Sequence, residues 1–377
     1  KNVKFVIIPD YDTDGICSGT ILYQSLVLLG CKDVYLYPPS METGYGLSVA
    51  SVDDCLSKCP FTPDVIITTD NGIKAFAGID YAKSKDLIVL VTDHHIGGEV
   101  EPNADVLVNP NRMTKEDQYP FASISGSVVI WKLMMAYALN YASSEVYTAI
   151  CDLVIFAGIS TISDVMPLGD ENHAMVKFAC NRLSDENWLW AHVHDASYPL
   201  SYRLSFLGMI SLLNVLRTNN KLKEEVTPDD IGFYLSPILN TPRRMEASSE
   251  RAFRLFNLSV FDKNYEPTVL PLDELEIESN HRTTSAETMQ AKLVAFCSES
   301  HYHFQAVSCL MQTADQLYQL NEVRKEVLND LVSDVNQTFH SMSGMEILQN
   351  LAIQVEVSHG LVGLIAGRLS NKYLLPF

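Results

Sequence analysis

The stretch VKFVIIPDYDTDG, residues 3–15, constrains this chain before anything else does. An apolar run, 3–8, passes into aspartates at alternate positions, Asp10, Asp12 and Asp14, and then a glycine. A strand that is apolar on both faces belongs inside a parallel sheet. Ligands of such sheets bind just beyond the carboxyl ends of the strands. Three carboxylates crowded there repel one another unless a cation lies between them, and hard oxygen donors suit magnesium or manganese. One aspartate alone would read as a helix N-cap, where aspartate is common. Three in register point to metal.

The same pattern recurs. Residues 16–29 have helical spacing and stop at Gly30. Further strands are expected over 34–37, 64–69, 87–92 and 105–108, with helical segments between most of them. The first third therefore predicts an α/β domain built on a parallel sheet. The third strand ends in Asp70-Asn71-Gly72 and the fourth in Asp93-His94-His95. All three acidic strand ends would lie on one edge of the sheet. Imidazole beside carboxylate shifts the expected metal toward manganese or another transition ion and favours a dinuclear site.

Helices are expected over 122–142 and 145–160. The second leads into ISDVMPL, where Asp164 stands in apolar surroundings and reads equally as a metal ligand or a helix-end cap. Residues 170–225 look helical, with Trp188 and Trp190 as core. Asn240, Arg243 and Arg244 are expected in a turn before a helix opening near Ser248 and Ser249. The two guanidiniums there suit phosphates, or salt bridges at the surface. An acidic run (Asp273, Glu274, Glu276, Glu278) in the weakly patterned 258–300 reads as a solvated face or an insertion. Residues 315–339 predict a long helix connecting domains. A strand over 351–357 and a glycine turn (Gly360, Gly363, Gly367) opening a last helix follow.

Bulk properties bound the reading. A chain of 377 residues suggests two or more domains. The formal charge of −19 argues against a uniformly basic nucleic-acid-binding surface, though not against a local basic groove. The eight cysteines are scattered, as expected for reduced thiols of an intracellular protein. No apolar run long enough to cross a bilayer is read from the sequence, and Lys1 with no signal-peptide pattern suggests that a natural N-terminus is missing.

Together the motifs resemble the DHH phosphoesterase superfamily, and within it the RecJ-type single-strand exonucleases. DYDTDG is similar to motif I, TTDNGI to motif II, TDHH to motif III and ISDVMPL to motif IV. SMETGYGLS, VLVNPNR, SISGSVVIWKL, DIGFYLSPILNTPRRM, LNEVRKEVL and GLVGLIAGRL extend the likeness over nearly the whole chain, and the last resembles the core of the DHHA1 domain. The resemblance implies a DHH domain with a helical extension over 1–257, an insertion and connector helix over 258–340, and the start of a DHHA1 substrate-binding domain over 341–377. It implies Asp12, Asp14, Asp70, His94 and Asp164 as ligands of two divalent ions, manganese preferred and magnesium accepted, with Asp70 bridging. Asp10 and His95 would support the ligands or contact the scissile phosphate. Asn240, Arg244, Arg368 and His359 would hold substrate phosphates. The pattern departs at Ser40, where an arginine is expected, at Ser358, which puts His359 one place late, and at His173. The implied activity is metal-dependent 5′→3′ hydrolysis of single-stranded DNA to mononucleotides, inside the cell and away from membranes, with replication or repair proteins as partners. Two other readings are a nanoRNase or cyclic-dinucleotide phosphodiesterase and a weakly catalytic single-strand-binding scaffold.

Overall fold

The computed structural model describes residues 2–40, 42–44, 46–112, 119–245, 248–258, 301–341 and 359–373. Five parallel strands form one sheet in the order β2-β1-β3-β4-β5. They are β1 (Phe5–Pro9), β2 (Val34–Leu36), β3 (Val65–Thr69), β4 (Ile88–Thr92) and β5 (Val106–Val108). The apolar runs have the cause expected of them. Val6, Ile8, Ile66, Val89 and Val91 face α2 (Val49–Lys58) and α3 (Phe76–Ser84), while Ile7, Val65 and Ile67 face the opposite layer. The strand order reverses between β1 and β3, and open α/β sheets bind ligands at such a reversal.

The opposite layer is built around α1 (Thr13–Leu28). Fifteen of its sixteen residues are buried, because α4 (Gly126–Tyr141), α6 (Val154–Ser163) and α9 (Leu200–Thr218) surround it. Its small and apolar residues on every side fit a helix enclosed by others. The helix expected over 145–160 is two helices, α5 (Ser144–Asp152) and α6. At the break, Leu153 N–H donates to Ile150 three residues back, which tightens the chain out of α-helical pitch. The stretch Ser144–Ser163 has a mean hydropathy of 1.7, so the expectation that no segment is apolar enough to span a bilayer is corrected. Its apolar window is 61 % buried within the fold, as in a core helix.

Three helices fill 170–218: α7 (Asp170–Ser184), α8 (Glu186–His194) and α9. Trp190 is 2 % exposed and Trp188 packs edge-on to Phe206, so both tryptophans are core. A short α10 (Pro228–Asp230) runs through a π-helical turn (Ile231–Leu235) into α11 (Ser236–Arg244), followed by α12 (Glu250–Phe256). Asn240, Arg243 and Arg244 therefore lie in a helix rather than in the expected turn. Pro237 falls in the first turn of α11, where no donor is needed, and Ser236 N–H reaches back five residues to Ile231. Pro237 is absorbed this way.

The long helix expected over 315–339 is α13 (His301–Ser341), and α14 (His359–Tyr373) packs on it through Leu328, Leu361, Ile365 and Leu369. The expected glycine turn is part of α14. A Cβ on Gly360 would lie 2.5 Å from Arg244 Cα, whereas Gly363 and Gly367 face open space. Only Gly360 is needed, and it is needed for close helix packing. The acidic run at 273–278 and the strand expected over 351–357 lie outside the described residues.

Candidate metal centre

β1, β3 and β4 deliver their acids to one edge. Asp10 N–H bonds to Thr69 O at 3.1 Å and Asp70 N–H to Thr92 O at 3.0 Å, so the three strand ends are stepped together. The Asn71 amide clamps two of them by donating to Ile8 O and Thr69 O, both at 3.0 Å. Asp70 then turns with φ +63°, a left-handed conformation that only glycine, asparagine and aspartate adopt with ease. The turn sends its carboxylate inward, where it is 2 % exposed.

The central geometry is compact. His94 Nε2 lies 3.2 Å from Asp70 Oδ1, 3.4 Å from Asp164 Oδ2 and 3.7 Å from Asp14 Oδ2. Two groups, Asp70-His94-His95 and Asp14-His94-Asp164, each place three donor atoms within 4.8 Å of one another. Asp70 Oδ1 and His94 Nε2 are both sealed from solvent and both lack a hydrogen bond. An unsatisfied buried carboxylate oxygen costs kilocalories unless something positive meets it. A divalent cation fits: the donors are mixed carboxylate and imidazole, which suits manganese and accepts magnesium.

Surrounding residues hold these donors in place. Asp14 Oδ1 accepts from Ser127 N–H at 2.8 Å, Ser127 Oγ at 2.5 Å and Ser160 Oγ at 2.5 Å, and Oδ2 accepts from Gly126 N–H at 2.7 Å. Oδ1 is thereby saturated, and Oδ2 is the oxygen that faces His94. The N-terminus of α4 supplies two of these donors, and a helix N-terminus favours an anion. Asp93, 1 % exposed, accepts through Oδ1 from His94 N–H, His95 N–H and His95 Nδ1, at 2.7, 3.0 and 2.8 Å. Its Oδ2 accepts from Ile73 N–H at 2.9 Å. Asn109 and Asn111 donate to the carbonyls of His95 and His94. The histidine pair is therefore gripped from both sides.

The sequence-predicted residues divide accordingly. Asp14, Asp70, His94 and Asp164 come together, and His95 joins them. Asp164 is the C-cap of α6, as a helix-end ligand should be. Asp12 is the N-cap of α1, its Oδ1 accepting from Gly15 N–H at 3.0 Å, and it belongs to neither donor group. Asp10 is likewise outside both groups, its Oδ1 accepting from Tyr11 N–H at 2.7 Å. Asn240 does not face this cluster with its amide oxygen, which accepts from Thr13 N–H at 2.8 Å and so anchors α11 to α1. Arg244 is electrostatically coupled to Asp12 and Tyr11. Arg368 reaches Asn329 on α13 at 2.7 Å. His359 opens α14; its side chain lies outside the described residues. Asp93, Ser127 and Ser160 were missed. No local pattern marks Ser160, which contacts Asp14 across 146 positions.

Electrostatics follow from the crowding. Burial and then Asp12 push Asp10 up to about 7. Burial and then Asp14 push Asp164 up to about 6, raise Asp12, and raise Asp70 far above the usual carboxylate range. Burial also works to raise Asp93, but its hydrogen bonds from His95 and Ile73 outweigh it and hold Asp93 below the ordinary value. His95 is pushed up to about 9, chiefly by its bond to Asp93, so it is cationic at neutral pH. With no cation bound, the folded chain keeps protons on Asp10, Asp70 and Asp164 that the unfolded chain releases near pH 4. Stability therefore falls as pH rises from about 4 to about 7. A cation displaces those protons, so its affinity rises across the same window. In thermal denaturation the melting temperature in EDTA should drop between pH 5 and pH 8, the increment from Mn²⁺ should grow, and Asp10→Asn should flatten the EDTA slope.

Residues 4–159 match the DHH family, N-terminal domain. The match spans the sheet, α1 and most of α6, and holds every donor except Asp164. The chain is 32 % identical to the single-stranded-DNA-specific exonuclease RecJ of Haemophilus influenzae over 252 residues, 65 % of this chain and 40 % of that protein. It is 27 % identical to RecJ of Escherichia coli over 307 residues, 79 % of this chain and 48 % of that one. The chain thus spans less than half the length of these curated relatives. Among solved structures, it resembles an exonuclease RecJ bound to manganese with a TM-score of 0.67 at 20 % identity, covering 99 % of this chain and 74 % of the other. Thermus thermophilus RecJ with Mn²⁺ gives 0.65 at 19 % identity, covering 98 % and 42 %. The chain shares the fold of these proteins.

Proposed function

We propose that this chain hydrolyses phosphodiester bonds of single-stranded DNA with two divalent ions, manganese preferred and magnesium accepted, removing mononucleotides from the 5′ end. One observation carries the reading: buried Asp70 Oδ1 and His94 Nε2 confront each other at 3.2 Å with no hydrogen-bond partner. Proteins tolerate such a pair where a cation joins it. The RecJ relatives, named as single-strand-specific exonucleases, support the substrate class.

Asp14, Asp70, His94 and Asp164 would hold the ions, with His94 common to both donor groups. When bound, the ions supply an acidified water and neutralise phosphate charge. The chain's own residues do the rest. Asp93 fixes His95 as an imidazolium, 52 % exposed, that offers a proton and a charge to a phosphate oxygen. Asp10, beside Asp12 at the rim, accepts a proton there once the ions have displaced its own. Arg244, at the end of α11, anchors a phosphate next to the acids. The division into a DHH domain over 1–257, an insertion and connector to 340 and a DHHA1 segment from 341 is part of the same proposal. So are an intracellular site of action and partners among replication or repair proteins.

The test is digestion of end-labelled oligonucleotides with Mn²⁺, Mg²⁺ or EDTA. A 5′-label on single-stranded DNA should be released first, with Mn²⁺ outperforming Mg²⁺ and EDTA abolishing release. Preference for dinucleotides would favour the nanoRNase reading, and strand binding without cleavage would leave a scaffold.

A further inference from the structure

Arg324 is a buried charge without a countercharge. It lies in α13 and is 6 % exposed. Buried guanidiniums ordinarily face a carboxylate. Arg324 instead donates through Nε and Nη2 to the amide oxygen of Asn321, at 3.1 and 2.9 Å. Asn321 is 1 % exposed and takes a third hydrogen bond from Thr241 Oγ1 of α11 at 3.1 Å. The amide therefore fixes the guanidinium plane and ties it to the helix that carries Arg244. Among the described residues no acid pairs with Arg324. Glu322, its closest favourable charge, is 2.6 Å from Lys325.

Other arginines converge on it. Burial, then Arg244, then Arg368 weaken the hold of Arg324 on its proton. Arg368 bonds to a neutral amide, Asn329. The three helices are locked: α14 closes on Arg244 at Gly360, and Leu328, Leu361, Ile365 and Leu369 pack α14 onto α13. Helices that gather three guanidiniums, Arg324 buried, Arg244 half-buried and Arg368 exposed, are stabilised when an anion joins them.

We propose that Arg324 is a phosphate-binding residue which, with Arg244 and Arg368, grips an internucleotide phosphate beyond the one held at the metal centre. Arg244 is the link, coupled to Asp12 on one side and to Arg324 on the other. The identity of the anion as a DNA strand rests on the nuclease reading; the anion site itself does not. Asn321 is the positioning residue, aiming the guanidinium without touching the phosphate.

The experiment uses the full chain in EDTA, with thermal denaturation against inorganic tripolyphosphate, for the parent, Arg324→Met and Arg324→Lys. The parent should gain melting temperature with tripolyphosphate. Arg324→Met should melt at or above the parent without anion, since like-charge crowding is relieved, and should lose most of the gain; Arg324→Lys should keep part of it. Binding of a labelled single strand in EDTA should weaken roughly tenfold in Arg324→Met, with the slope of log affinity against log salt shallower by about 0.7. If Arg324→Met melts lower in every buffer by one constant amount, with the tripolyphosphate gain intact, Arg324 is structural and the proposal is overturned. A gain that depends on Arg324 in a chain that neither binds nor cleaves DNA would retain the anion site and overturn only the strand as its occupant.

Discussion

Asp70→Asn is expected to abolish hydrolysis, by about a thousandfold or more, while leaving the metal-free protein as stable as the parent or more so. The first half follows from position. Asp70 Oδ1 is 3.2 Å from His94 Nε2, the donor common to both groups, and 3.9 Å from His95 Nδ1. Loss of a carboxylate ligand at that centre removes several kcal/mol of charge stabilisation at the phosphate, which corresponds to that rate factor. The second half follows from electrostatics. Burial, then Asp14, Asp12, Asp10 and Asp93, all disfavour the Asp70 carboxylate. A neutral amide removes that repulsion, and asparagine accepts the φ of +63° as readily as aspartate. Asp70→Ala is a poorer probe, because alanine in a left-handed conformation adds about 1–2 kcal/mol of strain. Rate, melting temperature in EDTA and the Mn²⁺ increment together check this: the first and last should collapse and the middle should hold. A variant that lost stability in EDTA and kept its Mn²⁺ increment would mean that Asp70 is a structural residue.

Gly126→Ala should damage the same site from outside it. Gly126 opens α4, and a Cβ there would lie 2.7 Å from both Cβ and Oδ1 of Asp70. The helix must retreat, and its first two N–H groups then leave Asp14, to which they donate at 2.7 and 2.8 Å. Overpacking of this kind costs about 1–3 kcal/mol, and displacement of residues that orient a ligand weakens metal binding roughly 10–100-fold. Gly363→Ala is the control. Its added methyl meets open space in α14, so stability should hold or rise by about 0.5–1 kcal/mol. Denaturant unfolding with and without Mn²⁺ separates the two. Equal behaviour of the two variants would contradict the close-approach role of Gly126.

The sheet was legible because double-sided burial writes itself as continuous apolar runs. Residues 64–69 and 87–92 could be little else, and their acidic termini then shared an edge by topology alone. What stayed illegible depends on distant parts of the chain. Ser160 is one hydroxyl in an apolar helix until α6 folds against Asp14. Asp12 and Asp14 are two residues apart and look alike, yet one caps a helix and the other faces His94, a distinction set by where α4 arrives. Asn240 and its arginines read as a turn, whereas the π-helical turn Ile231–Leu235 runs straight into the helix that holds them. Arg324 was quoted only as part of a helix motif, and its lack of a countercharge becomes visible only when α11 and α14 close on α13.

The central claim is that Asp14, Asp70, His94 and Asp164 enclose two cations at the ends of β1, β3 and β4, with the His95 imidazolium beside them. Anomalous scattering from crystals grown in Mn²⁺ tests it most directly. Two peaks about 3.5–4 Å apart, with Asp70 and His94 about 2.1 Å from at least one of them, are the expected result. Peaks elsewhere, or none at concentrations that support catalysis, would contradict it.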